Sequence, residues 1–437
     1  MATAAGCALL VLLAPAAARA GWDAPEPTSP TGNDVFRVAL APGGPGYVIG
    51  FPLTSPDRFR YAPRPIGGTI GAPQEMPGTS GTNFDGYWRF DDAGDAVIAN
   101  TYQAKLGHLP IGGIGGTSQD MPPGYYPDAV SVAPTGEALV AAAPHPAGIF
   151  RVNIRPAGPN QTVDLSPGGA QLFGTVSSDL IGVLLQADGG ALVVWQDGDT
   201  LWQSVRRSGQ QSFDPPTTIA DPRSDVRKFS VRLDGDPSGN AMLAWLGSSG
   251  GTARDQAVAT VRGHDGSFGP AQVVGTAGTA VNVTPAVTAS GDGMVAWSHQ
   301  APGTGCVSST VMGVAYHAGT FAPQQALGPS DVPLTSTQGY PETVLSEGDR
   351  VAVPILEVDH GMTPCSYADD RRGLFYHHFH SGPSGLVDDG LSELSPLQSR
   401  AGGLTSYPLI NEQTIEPGGR MLVAYQVDNA RYLRSFD

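Results

Sequence analysis

The chain has 437 residues, with 40 acids against 24 bases and only 15% charged residues in all. A formal charge of −16 excludes a nucleic-acid partner, whose phosphates call for a basic footprint, and disfavours anionic membrane surfaces. The 59 glycines and 39 prolines are spread between short apolar runs, which fits many strands joined by turns and not disorder.

Residues 1–20 read as a targeting segment. Ala8–Ala14 is an apolar core too short to span a bilayer, although no Lys or Arg precedes it. Ala18-Arg19-Ala20 supplies a small-x-small site, so cleavage is expected before Gly21. Residues 21–437 are then expected to form one secreted or extracytoplasmic domain. No later stretch approaches the roughly 18 uninterrupted apolar residues of a membrane helix.

From there the chain repeats. A first set of strands is predicted at Val35–Leu40, Tyr47–Phe51, Arg58–Tyr61 and Gly71–Met76. A second falls at Tyr87–Phe90, Asp95–Ala99, a poorly marked stretch near Leu106–Ile111, and Gly116–Met121. Pro73–Pro77 and Ser118–Pro122 echo each other, which supports that register. The third set is Ala129–Val132, Glu137–Ala141, Ile149–Ile154 and Thr162–Leu165. Units four to six are plain copies built around Trp195, Trp245 and Trp297, spaced 50 and 52 residues apart. A seventh unit carries Thr343–Leu345, Arg350–Ile355, Leu374–Phe379 and Gly385–Val387. The eighth has Thr414–Ile415, Arg420–Tyr425 and Arg431–Arg434, and lacks a fourth strand.

A period near 50 residues with four strands in each unit predicts an all-β fold, a single β-propeller of eight four-stranded antiparallel blades, with seven as the alternative. The second strands, such as Ala191–Trp195, are apolar without alternation, as strands covered on both faces are. Residues between Gly21 and Asp34 are expected to supply the missing last strand, tying the two ends of the domain together and removing open edges. Straight β-solenoids compete poorly because their rungs are much shorter.

The run from Asp236 through Gly239 and Ala241 to Trp245 has the pattern Asp-x-x-Gly-x-Ala-x-x-x-Trp, and Ser212-Phe-Asp-Pro-Pro216 supplies a Ser-Phe-x-x-Pro of the kind that follows it. In these motifs the chain resembles secreted bacterial β-propeller repeat proteins. The copy before Trp195 departs from the first pattern, with Gln186 at the Asp position. The resemblance is strong from Ile181 to Leu327 and weaker at both ends. It implies the fold and carries over no catalytic residue.

Two cysteines follow the leader, Cys306 and Cys365, each between the second and third strands of its unit. Exported chains with two thiols usually pair them, so a Cys306–Cys365 disulfide between units six and seven is expected. On a strand, residues two apart share a face, so His378 and His380 form a candidate metal pair, with His360 or Asp359 as third ligand and His377 pointing away. Surface histidines on an exposed strand are the commoner outcome of such a cluster. Gly247–Gly251 matches the nucleophile-elbow spacing but lies between two strands with no helix after it, and reads as a loop.

Acids concentrate where the chain leaves the second strands: Asp197, Asp199, Asp255, Glu357, Asp359, Asp369 and Asp370. Such a rim can bind Ca²⁺ or supply the acid/base pair of a glycosidase, the plainer alternative being a solvated acidic edge. No EF-hand loop occurs, and no cofactor is called for. The leading expectation is a monomeric, non-enzymatic propeller that binds a ligand, a carbohydrate or a protein partner through one loop face, near loops 298–310 and 357–372. The alternatives are a carbohydrate hydrolase or lyase using rim carboxylates or histidines, and a structural protein of the cell envelope.

Overall fold

A computed structural model describes residues 22–27, 34–41, 44–51, 60–75, 86–91, 93–100, 104–110, 117–121, 123, 126–142, 148–153, 163–164, 179–221, 228–248, 255–264, 266–275, 279–300, 309–327, 344–359, 371–399, 409–416, 419–427 and 430–436. Eight antiparallel sheets follow one another along these residues; seven have four strands and one has five. Blade one is Asp34–Leu40, Gly46–Phe51, Arg60–Arg64 and Gln74–Glu75. Blade two runs from Gly86 to Asp120, its poorly marked third strand resolving to Lys105–Leu109, and blade three from Pro127 to Asp164. Blades four and five run from Asp179 to Thr218 and from Phe229 to Gly275. In blade six the third strand, Ser309–His317, pairs outward with both Thr320–Phe321 and Gln325–Ala326, which makes the fifth strand. Blade seven has the longest hairpin, Arg371–Gly382 with Gly385–Ser399.

The last blade borrows its outer strand from the residues ahead of blade one. Glu26 and Pro27 pair with Leu433 and Tyr432, and Trp22 bridges to Phe436. As the missing strand predicts, the two ends of the domain meet and the ring closes on itself.

The cohesion of the ring lies between blades. Neighbouring blades share apolar clusters, and one of these joins Leu422, Ala424 and Leu433 of the last blade to Val38 and Leu40 of the first. Second strands face a neighbour on both sides, so Ala241–Gly247 is buried at every position. The repeat tryptophans now have a role: each fills the interface with the preceding blade. Trp195 packs with Leu139 and Ala141, Trp245 with Leu192 and Val194, and Trp297 with Met242 and Ala244. Gly275 lies against Trp297, where an added Cβ would come 2.4 Å from the ring, too close for any other residue to fit without movement.

Candidate functional site

In blades four to seven the turns between first and second strands are stitched into one rim. Ala187 donates its N–H to the Pro237 carbonyl at 2.7 Å, Asn240 Nδ2 to the Ala289 carbonyl at 3.2 Å, and the Ala289 N–H to the Gly348 carbonyl at 2.6 Å. Beneath two of these turns lie buried arginines: Arg206 donates to the Gly189 carbonyl at 2.8 Å and Arg262 to the Gly239 carbonyl at 2.5 Å. Both glycines have positive φ, +84° and +100°, a region that side chains with a Cβ rarely adopt. Arg206 also reaches Glu137 of blade three at 2.6 Å, an inter-blade ion pair with the arginine side chain 2% exposed. The rim is therefore a fixed platform.

On that platform, at the junction of blades six and seven, polar groups converge. Asp292 ends the turn of blade six, and its buried carboxylate (7% exposed) accepts from Nδ1 of His317 at 2.7 Å. His317, at the end of the third strand, is 42% exposed, and Gly385 of the next blade lies against it. A ring of hydroxyls supports the pair: Ser290 Oγ donates to Ser381 Oγ at 2.9 Å, and Ser381 Oγ to Thr288 Oγ1 at 2.8 Å. Ser290 also lies 3.3 Å from the second carboxylate oxygen of Asp292. An imidazole held at Nδ1 by a buried carboxylate presents Nε2 in a fixed direction, the arrangement that suits hydrogen bonding to a ligand or proton transfer.

Farther in, Asp234 near the end of the innermost strand of blade five links three blades. Its Oδ2 accepts the Val287 N–H of blade six at 2.7 Å and the Ser346 hydroxyl of blade seven. The residue as a whole keeps some surface exposure, yet its carboxyl is desolvated by the protein around it. Burial therefore pushes that carboxyl up to about 7, despite the hydrogen bonds that oppose the rise. Sequence reasoning missed Asp234, Asp292 and His317. One signal was available: in the copies of blades four and six, the residues aligned with Asp234 are Leu184 and Ala286.

The histidine cluster of blade seven is reassigned. His378 and His380 share a side of their strand, and His377 faces the other way, toward the Leu327 carbonyl of blade six at 2.7 Å. His378, however, is half-buried. Its ring stacks on Phe436 at 4.4 Å, its Nε2 lies 2.6 Å from Ser392 Oγ, and burial pushes its pKa down to about 4. It is neither a free ligand nor a surface histidine. His380 pairs with Asp389 at 2.8 Å, and Arg350 meets the same carboxylate at 3.2 Å. The expected third ligand stands elsewhere: Asp359 pairs with Arg371 and His378 with Ala352, seven positions apart, roughly 23 Å along the strand. His360 lies outside the described residues, and among the described residues no group of three metal-ligating side chains occurs.

Of the predicted acidic rim, Asp197 and Asp199 flank the hairpin of blade four, on the face opposite the His317 cluster, and Asp255 precedes the third strand of blade five. Beside them Lys228 donates to the Asp199 carbonyl at 2.7 Å and pairs with Asp221 at 3.3 Å. Glu357 and Asp359 end the second strand of blade seven. Asp369, Asp370, Cys306 and Cys365 lie outside the described residues, as do most of loops 298–310 and 357–372. Among the described residues no helix is long and apolar enough to cross a membrane.

No protein-family profile matches the sequence, and no curated protein matches it. Solved structures do. The Dos1 propeller aligns over 94% of this chain and 95% of its own at 9% identity with a TM-score of 0.54. The polysaccharide lyase Uly1 aligns over 92% and 90% at 10% identity and a TM-score of 0.45. A catalytically inactive virginiamycin B lyase from Staphylococcus aureus aligns over 76% and 95% at 10% identity and a TM-score of 0.44. At such identities the likeness concerns the fold alone: the chain is a β-propeller.

Proposed function

We propose that the protein is an exported ligand-binding β-propeller whose ligand is a glycan held on the turn face of blades six and seven. The observation that carries this reading is the half-exposed imidazole of His317, fixed by the buried carboxylate of Asp292. Blade seven adds groups that donate and accept, among them Arg350, Asp388 and Asp389. Sugar hydroxyls do both, and charged or imidazole side chains fixed on a rigid scaffold suit them. A second reading, a carbohydrate hydrolase or lyase, draws on the same pair, since Nε2 of an imidazole so held can act as a general base.

Titration calorimetry against a panel of neutral and acidic polysaccharides tests the proposal, with His317→Ala and the opposite-rim double variant Asp197→Asn/Asp199→Asn alongside. Binding should fall at least tenfold in His317→Ala and stay unchanged in the rim variant. The reverse pattern would place the site on the acidic rim. Binding to no polysaccharide sinks the glycan assignment and favours a protein ligand. New reducing ends or an unsaturated product, lost in His317→Ala, would decide for the enzyme.

A further inference from the structure

The segment Trp22–Pro27 behaves as a tethered ligand of its own ring. Its partners are distant in sequence: Ser392 lies 370 positions away from Trp22, and Ser435 lies 412 from Asp23. Among the described residues, backbone contacts hold it through the Glu26–Pro27 strand, the Trp22–Phe436 bridge, the Asp23 N–H to the Ser435 carbonyl at 2.9 Å and Arg434 to the Asp23 carbonyl at 2.7 Å. Sequence-selective recognition adds three side chains. The Trp22 ring sits 5.4 Å from Tyr376 and 5.2 Å from Phe436, and its Nε1 donates to Ser392 at 2.9 Å. The Asp23 carboxylate accepts from the Ser435 N–H at 2.8 Å and from the Arg64 guanidinium, whose side chain is 6% exposed. Glu26 takes the other edge of Arg64 at 3.1 Å and the Ile70 N–H at 2.7 Å. A buried arginine with two carboxylates is a selective anchor, because an unmatched segment would leave its charge desolvated and unpaired.

We propose that this groove is a docking site for an extended Trp-Asp-x-x-Glu segment, and that its occupant in trans is the same segment of a second copy of the chain. In the monomer, residues 28–33 connect the segment to blade one and supply its effective concentration. A segment-exchanged dimer repeats every contact and gives up only that tether. The closed monomer is then the resting state, and exchange grows with protein concentration.

The 21–437 chain carrying Trp22→Ala keeps the groove and weakens its own segment. A fluorescein-labelled peptide of residues 21–31 should bind it saturably by anisotropy, and the same peptide with Asp23→Ala at least tenfold more weakly. The peptide changes leave the receptor's fold untouched, and a cooperative melt of the Trp22→Ala chain establishes that the receptor is folded. Absent saturable binding to that folded chain, or equal binding of both peptides, overturns the docking site. Native mass spectrometry of unlabelled and isotope-labelled 21–437 chains, mixed at rising concentration, tests the occupant. Mixed dimers are expected, and they should vanish when both chains carry Trp22→Ala. Monomers alone at every concentration, or dimers indifferent to Trp22→Ala, overturn the second-copy assignment.

Discussion

Asp234 makes the ring sensitive to pH in a direction opposite to that of most acids. Its carboxyl titrates near 3.8 when free and is raised to about 7 by burial in the folded chain. Between those values the native state holds a proton that the unfolded state has released, so stability falls as pH rises from about 4 to 7 and levels off above. The size follows from about 1.4 kcal/mol for each tenfold change, on the order of 4 kcal/mol. His378 works against it: with a native pKa of about 4, the unfolded state binds its proton first, so its contribution is lost as pH falls from 6.5 toward 4. The wild-type profile alone therefore mixes two opposed slopes. Asp234→Asn separates them, since the amide oxygen can still accept from Val287 and Ser346 while carrying no titrating proton. Urea unfolding of both chains at half-unit steps from about pH 4 to 8.5 is the assay. The variant should gain stability relative to wild type as pH rises, by about 2–4 kcal/mol at pH 8. Parallel stability curves across that range would refute the assignment of a buried, late-titrating carboxyl.

Three further changes probe the inter-blade packing. Trp245→Ala removes the side chain that fills the contact between blades four and five, and should cost about 3–5 kcal/mol in denaturant unfolding. Gly275→Ala forces a methyl against Trp297 and should cost about 1–3 kcal/mol, a loss that thermal melting resolves and that a smaller residue at 297 would partly relieve. Glu137→Gln leaves Arg206 charged and buried at the junction of blades three and four, and should cost about 3 kcal/mol by the same measurement, more than Arg206→Met.

The ring was legible because its physics repeats. A run such as Ala241–Leu246 reads as a strand with both faces covered, and the recurrence of its tryptophan at 195, 245 and 297 reads as one contact made three times. Even the borrowed last strand followed from a unit that lacked one. The polar site was legible only in part, because it is assembled from neighbours in space. Nothing near His317 in sequence announces Asp292, 25 positions earlier, and Ser381 is 91 positions from Ser290. The histidines that did stand out, His378 and His380, drew attention by adjacency, yet adjacency on a strand says nothing about what the next blade brings. For His378 the next blade brings Phe436, and with it burial.

What distinguishes the blades from one another is more informative than what they share. Blades four to six repeat the same apolar second strands, so an ionisable residue at an innermost position of that group is a departure the packing does not ask for. Asp234 is such a departure: it costs desolvation where its counterparts Leu184 and Ala286 cost none. Asp292 with His317, and the long hairpin of blade seven that meets them, are departures of the same kind. All three fall at the turn end of blades five to seven. Stability alone would have favoured three more copies of the repeat, and these three exceptions lie on the face where the glycan site is proposed.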